Sequence, residues 1–389
     1  MSEYQSVKVS KFKTMTLGHS DTLTLMQDKA FWIALNMVEG VGRITYHKLI
    51  SHFGSPEKVF SASHNELMAV EGIGKKTANS IKSFRFEDEV KKELDIIKKS
   101  KSDVLTTADD EYPSSLKAIF DPPPLLYVKG KIIKKDAIAV GVVGSRSPTV
   151  YGKLVTEKIS REIAEIGITV ISGMARGIDS VAHKSAVNYG GRTIAVLGCG
   201  LNVIYPPENF KLMDEIANNG AVISEFPMSA KPDKMNFPQR NRVISGLSLG
   251  VVVVEAAEKS GSLITARHAI EQGREVFAVP GSVNSPKSRG TNRLIKMGAK
   301  LIEDAKDIIE EFPADVRSFL KPIEKKPIEG NGLTEDERFV YSFMGAEPAH
   351  IDTIIERSNL PVGMVSAILV KLELKGLIRQ LSGKMFVRC

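Results

Sequence analysis

Seven short apolar runs, at residues 137–143, 168–172, 193–197, 221–224, 250–254, 276–279 and 300–302, alternate with helical patterns and constrain this chain more than any other feature. Such alternation reads as a largely parallel sheet covered by helices on both faces. Ligands of these sheets bind beyond the carboxyl ends of the strands, so the residues after each run carry the functional information. They are Gly144-Ser145-Arg146-Ser147, then Gly173-Met174-Ala175-Arg176-Gly177-Ile178-Asp179, then Gly198-Cys199-Gly200. Glu225-Phe226-Pro227, Glu255 with Ser260-Gly261-Ser262, and Pro280-Gly281-Ser282 follow the later runs. Glycine lets backbone approach a ligand, serine caps helices and donates hydrogen bonds, and arginine supplies charge. Each turn alone is ordinary; together, at one edge of a sheet, they point to a phosphate-bearing ligand.

Residues 236–248, NFPQRNRVISGLS, set Phe237, Arg240, Asn241 and Arg242 just before the fifth run. Two guanidinium forks at the opening of a helix form an anion site, the alternative being two surface arginines in a loop. The net charge of +7 is concentrated here: residues 131–310 hold 24 Lys+Arg against 18 Asp+Glu, whereas the flanks are almost neutral. A nicotinamide enzyme is not expected, because the first turn is Gly-Ser-Arg and no acid ends the second run. A Gly-Lys-Ser/Thr phosphate loop is also missing from the sequence.

Catalytic groups are sparse. His183 and His268 lie in helical patterns without a second ligand at metal spacing, and Ser145 and Ser262 have no paired base. Asp179, Glu225 and Glu255 fall near the crevice, either as acid/base groups or as carboxylates that hold the arginines in register. Cys199, in a glycine turn, is placed for a lowered thiol pKa if a helix N-terminus faces it. With Cys389 it cannot make a disulfide framework or a four-thiolate zinc site, and a reducing cytoplasm is the expected compartment. No apolar run is long enough to span a membrane, and neither a cofactor nor a metal is expected.

The domain boundaries read as a loose tail at 1–25, a helical domain at 26–108, the sheet domain at 109–310, a linker at 311–332 and a small domain at 333–389. In the helical domain, Val38-Glu39-Gly40-Val41-Gly42 and Val70-Glu71-Gly72-Ile73-Gly74 form a repeat with a period of 32 residues. Such a tight turn exposes backbone N–H groups at a helix start. The second copy, continuing Lys75-Lys76-Thr77-Ala78, looks like a helix-hairpin-helix of DNA-binding proteins; both also serve simply as helix connectors. Residues 333–389 give three helical patterns and two strands around Ser382-Gly383-Lys384, the layout of a winged helix. Its third helix offers only Lys371 and Lys375, late in the helix, which suits a protein contact or structural support better than base reading.

The ordered series GSR (144–146), SGMARGID (172–179), GCG (198–200) with Tyr205-Pro206, SEFP (224–227), FPQRNRVISGLS (237–248), SGSLITARHA (260–269), VPGS (279–282) and SRGTNRLI (288–295) resembles the DNA-processing protein A family, written DprA or Smf. The likeness covers residues 109–305 and implies an extended Rossmann-type α/β domain that binds single-stranded DNA. It further implies a homodimer that helps load the recombinase RecA during natural transformation, and a family not known chiefly as enzymes. Carried over residue by residue, it places strand contacts on Arg146, on Arg240 and Arg242, and on Arg176 and Lys184; Gly144, Ser145, Phe237, Asn241 and Ser262, at the same turns and helix start, are further candidates for the strand. Phosphates on arginines and amides give affinity without sequence choice, and Phe237 and Tyr205 are available either for base stacking or for core packing. The sheet also resembles LOG-type nucleoside-phosphate hydrolases, whose Pro-Gly-Gly-x-Gly-Thr stretch is replaced here by Ser260-Gly261-Ser262-Leu263. A nucleotide-binding hydrolase using Glu255 or Asp179 is the alternative reading, and a scaffold for partner proteins is a third.

Overall fold

The computed structural model describes residues 29–321, 333–345, 347–374 and 376–388. The tail at 1–25, residues 322–332 of the linker, Lys375 and Cys389 lie outside them. A nine-stranded sheet is built from β1 (Ser102–Thr106), β2 (Leu125–Gly130), β3 (Ala139–Val143), β4 (Thr169–Ser172), β5 (Thr193–Val196), β6 (Ala221–Ser224), β7 (Gly250–Val253), β8 (Glu275–Ala278) and β9 (Lys300–Leu301). β3 to β7 are buried along their whole length, which is why they read as unbroken Val, Ile and Ala runs rather than as alternation. The order is β1-β2-β6-β5-β4-β3-β7-β8-β9, and β3 to β9 are parallel.

The chain steps outward from β3 through β4 and β5 to β6, then returns past β3 to β7. The helix Asn236–Leu247 makes that return, so its first turn stands at the carboxyl ends of the strands. Val243, Ile244 and Leu247 from this helix join one core with Val251 and Val253; Ile159, Ile163, Ile178 and Ala182 form the core on the opposite face with Val140 and Val252. Fully burying each such Val, Leu or Ile contributes about 1.5–3 kcal/mol, so the two layers fix the loops between them.

β1 and β2 were not anticipated in the sheet; they add antiparallel at its β6 edge. β1 alternates buried and exposed residues, and its Ser and Asp hide it in a charged stretch. The expected linker also begins late. Phe312 is buried in the sheet-domain core, Val316 and Leu320 pack on it, and the amide of Lys321 donates to the Ile166 carbonyl.

The N-terminal helices enclose their own core around Leu35, Tyr46, Leu49, Leu67 and Ile81. Both repeats turn through left-handed glycines, Gly40 at φ +86 and Gly72 at φ +84, a conformation that favours glycine. Residues 333–388 form a winged helix: helices Glu335–Ser342, Ile351–Ser358 and Val362–Leu374 pack on a sheet of β10 (Ala349–His350), β11 (Ile378–Leu381) and β12 (Met385–Arg388). Thr334 and Glu337 close a capping box at the first of these helices. Among the described residues, no single helix is long and apolar enough to cross a membrane.

Candidate nucleic-acid interface

The switch point between β3 and β7 opens the crevice where the glycine turns meet. The turns after β3 and β4 touch backbone to backbone: the Ile178 amide donates to the Ser145 carbonyl at 3.1 Å. That approach requires Gly177, at φ +80, where an added Cβ would stand 2.3 Å from the same carbonyl oxygen. Ser145 Oγ accepts the Ser147 amide at 3.2 Å, and Lys287 Nζ donates to the Ser147 carbonyl. Arg146 is left exposed at the apex of this braced loop.

The Arg146 guanidinium lies 5.3 Å from the centroid of the Phe237 ring, and Arg240 lies 5.9 Å from it. Tyr205 stands beside the same ring at 5.7 Å. Phe237 can approach because position 198 has no side chain: an added Cβ there would meet the ring at 2.8 Å. Arg240 is buried, 4% exposed, and its Nη1 donates to the Val196 carbonyl at 2.8 Å. A Cβ at Gly173 would fall 1.7 Å from that Nη1. Burial lowers the pKa of Arg240; the Asp179 carboxylate opposes this and Arg146 adds to it. Asp179, its own pKa raised by burial against the pull of Arg240, accepts the Gly173 and Ala175 amides at 3.2 and 3.3 Å. Arg240 is therefore balanced by Asp179, whereas Arg146 has no carboxylate partner among the described residues. An uncompensated cation beside two aromatic faces is suited to a phosphate with an unstacked base.

The other expected contacts divide. Arg176 is exposed and its Nε and Nη2 both donate to Glu208, which holds that carboxyl down at about 2. A phosphate at Arg176 must displace Glu208. Lys184 is exposed on the helix Ile178–Asn188, about 9 Å along its axis from the turn. Asn241 Nδ2 donates to the Gly261 carbonyl at 3.2 Å, and Ser262 Oγ pairs with Ser260 Oγ at 2.7 Å, so both brace the turn after β7. Gly144 lies against Ile178, where an added Cβ would come within 2.7 Å of a side-chain carbon.

Arg242 departs from the expectation of a strand contact. It is 2% exposed and turned away from the crevice, with Nη2 on Glu225 and Nη1 donating to the Asp121 carbonyl at 2.6 Å. Arg43 also pairs with Asp121, and His47 Nε2 donates to the Pro122 carbonyl at 2.6 Å. The first helical repeat thus docks on the sheet domain through the side chains of Arg43 and His47. Asp121 was missed because one acid ahead of three prolines carries no periodic signal.

Two further expectations are corrected. Cys199 is buried, its thiol donating to the Val203 carbonyl at 3.4 Å and pushed up to about 11 by burial, so the glycine turn does not activate it. Glu255, 2% exposed, accepts the amide and hydroxyl of Thr149 and so caps the helix Val150–Glu165 instead of facing the crevice. Asp179 is likewise buried.

Comparison with known proteins identifies the domains. A SAM-like helix-hairpin-helix tandem matches residues 33–84, and a DprA winged helix domain matches residues 324–384. The Smf protein of Synechocystis sp. is 35% identical over 401 residues, spanning 93% of this chain and 99% of its own. The DNA processing protein DprA of Bacillus subtilis is 48% identical over 213 residues, 54% of this chain and 72% of that protein. The X-ray structure of DNA processing protein A from Streptococcus pneumoniae aligns with a TM-score of 0.65 at 35% identity, covering 73% of this chain and 98% of that one. With residues 103–313 matching the family model itself, the chain belongs to the DNA recombination-mediator protein A family.

Proposed function

We propose that the crevice at the carboxyl ends of β3, β4 and β5 binds single-stranded DNA, and that the protein acts as a recombination mediator in natural transformation. The observation that carries this reading is the cluster of Arg146, Phe237 and Tyr205 above the buried Arg240. Arg146 holds a backbone phosphate, and the exposed Tyr205 ring with the half-buried Phe237 takes a base that is free to leave its stack. A duplex offers no such base. As the family resemblance implies, the chain works as a cytoplasmic homodimer that helps load RecA on the bound strand. Catalysis is not part of the reading, because Glu255 and Asp179, the carboxylates a nucleotide hydrolase would use, are buried and hydrogen-bonded to backbone amides.

Fluorescence titration with single- and double-stranded oligonucleotides at two salt concentrations tests it. The single strand should bind more tightly, with affinity falling as salt rises. Arg146→Ala and Phe237→Ala should each weaken binding by about 1–3 kcal/mol, whatever the base sequence. Unchanged binding in the double variant would overturn the site, and release of free base from nucleoside monophosphates would favour the hydrolase.

A further inference from the structure

The winged helix touches the sheet domain along one helix. Val150 and Glu157, seven residues apart on Val150–Glu165, share a face. Glu157 accepts Arg379 Nη1 and Nη2 at 3.0 and 2.9 Å, and Val150 lines a cavity of about 360 Å³ with Pro348, Leu381, Ser382 and Met385. From Arg379 to Ser382 an extended chain advances about 10 Å, and from Glu157 back to Val150 a helix descends about 10.5 Å. The matched rise lays β11 along the helix in the opposite sense, so the turn between β11 and β12 ends where the helix begins. That point is the end of the loop that carries Arg146.

At the tip of this wing Lys384 is exposed and adopts φ +56. Lys153 is exposed one turn along the helix from Val150, and Lys287 is tied to the Ser147 carbonyl. With Arg146 they make a cationic rim assembled from two domains.

We propose that the winged helix forms one wall of the DNA groove, with its wing carrying the strand's phosphodiester backbone past Arg146 to Lys384. The inference rests on the crevice being a single-strand site. It gives the small domain a role through its wing, whereas its third helix presents Val362 and Val370 to solvent, 60% and 57% exposed. The Arg379–Glu157 pair is itself partly exposed, at 47% and 29%, so the docked wing is sensitive to salt.

The test uses full-length protein with oligothymidylate of about 6 nucleotides, within the footprint of one binding module, and about 20, beyond it. Lys384→Asn removes the charge yet accepts the left-handed backbone. Its affinity for the longer strand should fall about 3–10-fold, with a salt slope shallower by about 0.7 and the shorter strand unaffected. Glu157→Arg and Arg379→Glu should each reproduce that loss, and the double swap should restore binding. Unchanged binding of the longer strand by Lys384→Asn, or a swap that restores nothing, overturns the proposal. Failure of the crevice reading shows differently, as wild-type binding that ignores Phe237→Ala.

Discussion

Arg242→Ala separates a strand contact from a structural arginine. In the native fold its guanidinium is shared between Glu225 and Asp121, with its side chain 3% exposed and that of Glu225 9%. Burial raises the Glu225 pKa, and the charges of Arg242 and then Arg43 oppose that rise. One oxygen of Glu225 already lacks a hydrogen-bond partner. Removing Arg242 leaves a buried carboxylate with Arg43 as its remaining counter-charge, a loss of about 3–5 kcal/mol. At about 2–4 °C per kcal/mol, the melting temperature should drop by about 10 °C. The sign with pH follows from the direction of the shift. A carboxyl whose folded pKa is raised contributes most when protonated and loses that contribution as pH rises through the folded pKa. Deleting Arg242 raises the pKa further, so the deficit of the variant should be largest near neutrality and narrow toward pH about 5. Adding Glu225→Gln should recover part of the loss, because the buried charge is gone. Urea or thermal unfolding read alongside oligonucleotide affinity measured well below the melting temperature decides the matter. A variant that melts like wild type yet loses DNA would show that Arg242 touches the strand and that its burial has been misread.

Two more expectations come from buried titratable groups. Thr193 Oγ1 donates to the Val170 carbonyl, so His183 Nδ1 must donate to that oxygen, leaving Nε2 bare. Burial, then Arg240, lowers the His183 pKa to about 3. The unfolded chain therefore takes up the proton first, and stability present above pH about 6.5 should decline as pH falls toward 3, by up to about 1.4 kcal/mol per pH unit. Urea midpoints of wild type and His183→Asn across this range should diverge; parallel curves would refute the buried neutral imidazole. For Cys199, with the thiol at about 11 and 1% exposed, iodoacetamide labelling at pH about 8 followed by peptide mapping should modify it only on unfolding. Labelling at the rate of a free thiol would mean that the turn opens.

The parallel strands were legible because burial on both faces leaves one unbroken apolar signature, and the turns were legible because glycine and arginine there serve the crevice. β1 was not, since an antiparallel edge strand that alternates SDVLT looks like surface, and β2, though buried, directly follows the three prolines Pro122–Pro124, which read as loop. Phe237 and Arg146 could be placed at one edge from sequence, but their contact depends on Gly198 admitting the ring, a property of the packed sheet. The expected role of Arg242 was overturned for a reason that no linear pattern holds. Its partners Asp121 and Glu225 lie 121 and 17 residues away, and the first of them sits in the chain leading into β2, where Arg43 of the helical domain also meets it.

Helix Asn236–Leu247 shows how one short stretch divides its labour. Residues 240 and 242 are separated by about 200° around a helix, so two arginines read as one patch must face opposite ways. Arg240, one turn after Phe237, passes beneath the ring to the Val196 carbonyl, within the field of Asp179; Arg242 points the other way, to Asp121 and Glu225. A buried cation beneath an aromatic ring is costly without a counter-charge, and Asp179 supplies that charge nearby while its own oxygen holds the turn after β4. The shape of the crevice floor and its charge are then set by the same three groups: Gly173, which makes room, Arg240, which fills it, and Asp179, which neutralises it. Arg146 is thereby left as the uncompensated positive charge over the ring. The anion site thus depends less on how many arginines the stretch contains than on which of them the fold leaves without a partner.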